Sequence, residues 1–185
     1  MPEPRAAPKS VLVLGGARSG KSRYAQRLAE GSGRCPVLIA TAEPGDDEMA
    51  ARIARHKAER DGRWTTIEEP VALAFALRRE ARGDRVLVVD CLTLWLGTLL
   101  LRGDDLSAET QALAAALEAM ESPVILVSNE VGQGIVPDNA LARAFRDAQG
   151  LLNQALAEVC DNVVLVCAGL PFRLKPASEP LAGFC

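Results

Sequence analysis

Eight residues near the start of the chain, Gly15-Gly-Ala-Arg-Ser-Gly20-Lys21-Ser22, fit the spacing G-x-x-x-x-G-K-[ST]. Glycines at those places let backbone N–H groups turn inward around phosphate oxygens, and a helix that follows presents its positive end to the same anions. Lys21 then reaches the terminal phosphates and the Ser22 hydroxyl can hold Mg²⁺. The chemistry is that of a nucleoside triphosphate seat. A second run, Arg85-Val-Leu-Val-Val-Asp90, ends an aliphatic stretch in a carboxylate. Asp90 alone reads as an ordinary turn or cap residue; paired with the loop, it is the candidate that organises Mg²⁺. No Asn-Lys-x-Asp guanine-reading element occurs, which weighs against a regulatory GTPase.

The third candidate is the single histidine of the chain, His56. In Asp46-Asp-Glu-Met-Ala-Ala-Arg-Ile-Ala-Arg-His-Lys-Ala-Glu-Arg60, helical spacing sets Glu48, Arg52, His56 and Arg60 on one stripe, with Met49 and Ile53 on an apolar neighbour. Guanidinium neighbours lower an imidazole's pKa and gather phosphates around it, and a neutral ring beside a polyphosphate can act as nucleophile or base. Spacing alone equally describes a solvated helix face.

These residues need a scaffold. Short aliphatic runs at Val11–Leu14, Pro36–Ala40, Arg85–Asp90, Pro123–Ser128 and Asn162–Cys167 are continuously apolar, the pattern of strands covered on both faces. Between them, helical spacing predicts Lys21–Glu30, Asp46–Arg60, Val71–Arg82, Ser107–Met120 and Asp138–Cys160, the last with a break near Gly150. Trp64–Ile67 is predicted as a short extra strand and Pro171–Lys175 as an edge strand. Strand and helix alternate, so the expected fold is α/β with a mostly parallel sheet flanked by helices, whose strand C-terminal ends form the functional rim. The 185 residues suffice for a single domain over residues 11–175, with residues 1–10 as a flexible leader and 176–185 as a tail.

Composition removes several alternatives. The 21 basic and 24 acidic residues leave a net charge of −3, so no cationic field marks nucleic-acid binding. Five cysteines without C-x-x-C spacing suggest neither a disulfide framework nor a zinc site. The apolar stretch from Cys91 to Leu101 falls short of the roughly 20 residues a membrane span needs, and the opening segment has no signal core, so a cytoplasmic protein without membrane insertion is expected.

Together these blocks resemble the bifunctional adenosylcobinamide kinase/adenosylcobinamide-phosphate guanylyltransferases of cobalamin biosynthesis, from Val11 to about Lys175. The resemblance rests on the phosphate loop, Ile39-Ala-Thr-Ala42, Asp46–Ile53 with His56, Trp64 with Glu68, Asp90-Cys-Leu-Thr93, Ser128-Asn-Glu-Val-Gly-Gln-Gly-Ile-Val-Pro137, and Phe145-Arg-Asp147 with Asn153-Gln154. It implies a P-loop NTPase of RecA-like type, ATP, GTP and Mg²⁺ as cofactors, and adenosylcobinamide and its phosphate as substrates. It also implies a guanylyl-histidine intermediate on His56 and a homo-oligomer, a trimer. By the same resemblance the nucleotide contacts are Gly15, Gly16, Ala17, Arg18, Ser19, Gly20, Lys21, Ser22, Ala40, Thr41, Ala42, Lys57, Ala58, Glu59, Arg60, Glu68 and Asp90, with Ser22 and Asp90 on the metal. Two alternatives stay open on the residues alone: a plain small-molecule kinase with His56 at the surface, and a non-catalytic nucleotide-dependent switch. The Asn129–Pro137 segment reads equally as a substrate-touching rim loop and as a glycine-rich turn that orders the chain. With 4% aromatic residues, no stacking platform for a corrin ring stands out.

Overall fold

A computed structural model describes residues 9–42 and 62–176. The predicted helix over Asp46–Arg60, with His56, and nearly all of the leader and tail lie outside the described residues. Seven strands form one sheet: β1 (Ser10–Leu14), β2 (Cys35–Ala40), β3 (Thr65–Glu68), β4 (Arg85–Asp90), β5 (Val124–Val127), β6 (Asn162–Cys167) and β7 (Leu170–Lys175). Their order is β3-β2-β4-β5-β1-β6-β7, parallel throughout except for the antiparallel β6–β7 hairpin at one edge. The described helices are α1 (Lys21–Gly31), α2 (Leu73–Glu80), α3 (Leu92–Arg102), α4 (Leu106–Glu118) and α5 (Ala140–Val159).

Side chains alternate across each strand, so the continuous apolar runs feed two cores. Leu12, Leu87, Val89 and Leu126 face a core shared with Leu77 of α2, Trp95 and Leu99 of α3, Leu113 of α4 and Leu152 and Leu156 of α5. Val13, Val88, Ile125 and Val127 face the other way, onto Ala25 and Ala29 of α1. Those two alanines let α1 lie close to the sheet, which brings the loop before it down onto the strand tips. Four described helices thus cover one face, and α1 covers the other.

The departures from the predicted elements have local causes. Helical spacing does not predict α3, because LTLWLGTLLLR is apolar on nearly every side and hides its period. Gly103, at φ 77°, ends it in the left-handed conformation, and its N–H bonds back to Leu100 O at 3.2 Å. Trp95 is fully buried within α3, and its indole N–H donates to Val71 O at 2.8 Å. Helix α5 runs 20 residues without a break at Gly150. Its Asn139 cap accepts from Ala142 N at 2.7 Å, and Leu152 and Leu156 bury on either side of the expected interruption. The two marginal strands are present, as β3 and β7.

At the end of α2, Glu80 is 5% exposed and clasped by Arg79 Nε at 2.7 Å and by Arg85 of β4. The Arg79 hydrogen bond, with further help from Arg85, holds the carboxyl below the usual range against the opposing effect of burial. A depressed carboxyl stabilises the fold above its unfolded pKa of about 4.3 and loses that contribution as pH falls through the folded value. Glu80→Gln is therefore expected to lower the melting temperature at neutral pH by about 4–8 °C, for roughly 2 kcal/mol of charge-assisted hydrogen bonding. The gap from the native protein should close in acid; melting curves from pH 7 to pH 3 read both effects, and a gap constant with pH would contradict this account.

Candidate active site

Residues 15–20 turn from the end of β1 into α1. Gly20 caps the helix at φ 99°, and Arg18 also takes a positive φ of 55°. A side chain on Gly15 would place its Cβ 2.4 Å from Val166 O of β6 and 2.7 Å from Ser19 Oγ. On Gly20 it would stand 3.2 Å from Gly169 Cα. Gly169 N in turn donates to Ser19 O at 2.8 Å, so the β6–β7 turn backs the loop from behind. Glycine is required at both places by this close approach as well as by the conformation. Ala17 and Arg18 face outward, and Ser19 Oγ is buried without a hydrogen-bond partner among the described residues.

Lys21 opens α1, is 7% exposed, and folds its ammonium over the loop to donate to Gly16 O at 2.7 Å. Burial holds its pKa below the ordinary lysine value, while the nearby Cys91 and Asp90 act in the opposite sense. Ser22 follows on the first turn, partly exposed. Burial, together with the Asp90 charge, pushes the Cys91 thiol up to about 11, so it is a neutral neighbour near pH 7 and not a nucleophile.

The strand tips bring distant parts of the sequence into one row. Ala40 pairs with Glu68 on one side and with Asp90 on the other, and Asp90 pairs with Val127. Ala40 packs into the core shared with α1. Paired residues of a parallel sheet share a face, so Glu68, Ala40 and Asp90 all lie on the α1 side, the side of the phosphate loop. Thr41 lies just beyond, fully buried; its hydroxyl donates to Cys91 O at 2.7 Å and accepts from Cys91 N at 2.9 Å. Its side chain is therefore occupied in tying β2 to the segment after β4, and Ala42 follows it, partly exposed. His56, Lys57, Ala58, Glu59 and Arg60 lie outside the described residues.

One polar cluster joins Ser128, Asn129, Thr93 and Asn153, all in the blocks quoted above, to Gln149, which the sequence reading does not single out. Ser128 Oγ, fully buried, donates to Asn153 Oδ1 at 2.6 Å and accepts from Gln149 Nε2 at 2.9 Å, while Asn153 Nδ2 donates to Asn129 O at 3.1 Å. Thr93 Oγ1 accepts from Asn129 N at 2.8 Å. The signal available was the i, i+4 pair Gln149 and Asn153 on the apolar face of α5; of the polar set singled out there, Arg146 and Asp147 pair near the surface at 3.2 Å and Gln154 is exposed. These bonds fix the start of the Asn129–Pro137 segment, and Glu130 N donates to Gly15 O at 3.0 Å, which joins it to the phosphate loop.

A glycine-rich phosphate loop at the tip of β1, with β5 interposed between it and the strand that ends in Asp90, defines a P-loop NTPase of RecA-like type. A solved structure from Pyrococcus horikoshii OT3 shares this fold at a TM-score of 0.53 and 12% identity, covering 89% of this chain and 85% of that one. The chain belongs to the cobinamide kinase / cobinamide phosphate guanyltransferase family, whose model matches residues 11–174, and it is an enzyme of that kind. It is 54% identical over 172 residues to the bifunctional adenosylcobalamin biosynthesis protein CobP of Pseudomonas aeruginosa, covering 92% of this chain and 98% of that protein. To the CobU protein of Escherichia coli (strain K12) it is 39% identical over 180 residues, covering 89% and 99%. The readings as a plain small-molecule kinase and as a switch give way to this membership. Among the described residues no helix is long and apolar enough to cross a membrane.

Proposed function

We propose that this chain phosphorylates adenosylcobinamide and then guanylylates the product, both at the rim formed by the phosphate loop and the tips of β2, β3 and β4. The observation that carries the reading is the convergence on one face of the buried Lys21 ammonium, Ser22, Asp90 and Glu68 from three separate stretches of sequence. In the first step the acceptor hydroxyl forms a bond to the γ-phosphorus of ATP or GTP as the bridging P–O bond breaks and the nucleoside diphosphate leaves. Such transfer needs positioning and charge neutralisation, which Lys21 and the backbone N–H groups of residues 15–20 supply.

A hydroxyl and a single carboxylate suit Mg²⁺, which completes its shell with water and phosphate oxygens and needs no all-protein cage. Among the described residues no cluster of three or more acidic, His or Cys side chains offers such a cage. Ser22 and Asp90 would hold the ion, and when bound it would neutralise phosphate charge.

In the second step the His56 ring displaces pyrophosphate from the α-phosphorus of GTP, forming a P–N bond. A phosphate oxygen of adenosylcobinamide phosphate then breaks that bond, giving adenosylcobinamide-GDP and the free imidazole. Arg52, Arg55, Lys57 and Arg60 offset the charge of the departing pyrophosphate, while Ala40–Ala42, Lys57–Arg60 and Glu68 contact the nucleotide. The same reading carries a cytoplasmic homotrimer, for which the exposed Leu101, Ile135 and Leu151 offer apolar surface.

Incubating the protein with GTP labelled at the α-phosphate and then denaturing it tests the covalent step. Label that stays on the chain, is released by acid and survives alkali is expected for a phosphoramidate. Guanylyl transfer without any trapped label would overturn the intermediate.

A further inference from the structure

The hydrogen bonds of the sheet continue past the last residue of β5. Ser128 N donates to Val13 O at 3.0 Å and Glu130 N donates to Gly15 O at 3.0 Å, the alternate-residue pattern of a parallel ladder. Side-chain alternation therefore extends through these positions. The Ser128 hydroxyl is bonded to Asn153 of α5, on the far side of the sheet. Asn129 consequently projects to the other face, the one that carries α1, Lys21 and Asp90. Glu130 returns to the α5 side, where its Oε1 accepts from Gly132 N at 2.8 Å.

Position and restraint agree. Asp90 pairs with Val127, so Asn129 stands two residues, about 7 Å, further up the adjacent strand and on the same face, between Asp90 and the phosphate loop. Its backbone is gripped from both sides, by Thr93 through N–H and by Asn153 through C=O. Its carboxamide has no hydrogen-bond partner among the described residues. A fixed backbone bearing an unengaged amide donor, on the strand beside the phosphate loop and on the face that carries Lys21, is the arrangement that stabilises charge in a transferring group.

We propose that Asn129 is a catalytic residue of the phosphoryl-transfer step, its carboxamide N–H donating to an oxygen of the γ-phosphoryl group. The bond from the acceptor oxygen to phosphorus forms as the β–γ bridging bond breaks; the electron pair leaves with the nucleoside diphosphate and the hydroxyl proton passes to water. The inference rests on the nucleotide seat proposed above and adds to it a donor that reads the third phosphate.

The test compares Asn129→Ala, Asn129→Asp and Lys21→Ala with the native enzyme for the rate of cobinamide phosphorylation at saturating ATP, for the affinities of ADP and of a non-hydrolysable ATP analogue, and for melting temperature. Loss of one preorganised donor is expected to slow Asn129→Ala by about 10²-fold. ADP affinity and melting temperature should stay at the native values while analogue affinity falls. Asn129→Asp should be slower still, since a carboxylate repels the γ-phosphate. A native rate in Asn129→Ala, or equal losses of ADP and analogue affinity with a lowered melting temperature, would overturn the assignment and make Asn129 a structural residue. Undiminished analogue affinity in Lys21→Ala would instead remove the seat itself, and this inference with it.

Discussion

His56→Ala should abolish formation of adenosylcobinamide-GDP while adenosylcobinamide phosphate continues to accumulate. The expectation follows from counting nucleophiles. The chain has one histidine, and Cys91, the thiol next to Asp90, is held protonated with its pKa at about 11, so that thiol does not compete with His56 for the guanylyl unit near neutral pH. Direct attack of the acceptor phosphate on GTP would have to proceed without the covalent route, and loss of a nucleophile from a group that acts as a unit costs on the order of 10³-fold or more. On the reading proposed above, the kinase step draws on Lys21, Ser22 and Asp90 and calls for no covalent imidazole. Separate assays of the two products on one preparation check the division. Parallel loss of both would show that His56 serves the shared nucleotide seat and not the second transfer alone. Retention of guanylyl transfer would remove it as nucleophile.

What the sequence showed of this protein was local in range. The phosphate loop is eight contiguous residues whose glycines and lysine fix its conformation, and the strands are runs of Val, Leu and Ile too apolar to sit anywhere but inside a covered sheet. Hidden features depend on pairing across the chain. The row formed by Glu68, Ala40 and Asp90 is set by strand register over some fifty positions, and nothing within any one strand specifies it. Thr41 is a nucleotide contact by resemblance, and folding commits its hydroxyl to the backbone of Cys91, a partner fifty positions away that the Ala-Thr-Ala block does not announce. Helix α3 went unseen for the opposite reason: a segment buried on most sides has no contrast between faces from which to read a period. The Asn129 segment is recognisable as a motif, but the ladder past β5 and the Gln149–Asn153 brace that position it join residues far apart in sequence.

Lys21→Ala is expected to disable both reactions, with the phosphorylation rate down by about 10³-fold, within the range set by loss of a principal charge-stabilising group. The reason lies in what the ammonium does inside the loop. It is nearly enclosed and donates to Gly16 O, so removing it leaves that carbonyl without its partner and, on the proposed seat, takes a cation away from the phosphate oxygens. Lys21→Arg should rescue little, because a planar guanidinium is larger than the pocket built around a compact ammonium. The buried setting also gives the native enzyme a pH signature. Burial lowers the Lys21 pKa, so the free protein loses this charge at lower pH than an exposed lysine would, and kcat/KM for the nucleotide should fall along an alkaline limb that begins early. Bound phosphates add negative charge beside the ammonium and raise its pKa, so the matching limb in kcat should lie at higher pH. Coincident limbs would mean that the titrating group never meets the phosphates, and a fully active Lys21→Ala would place the triphosphate somewhere other than on this loop.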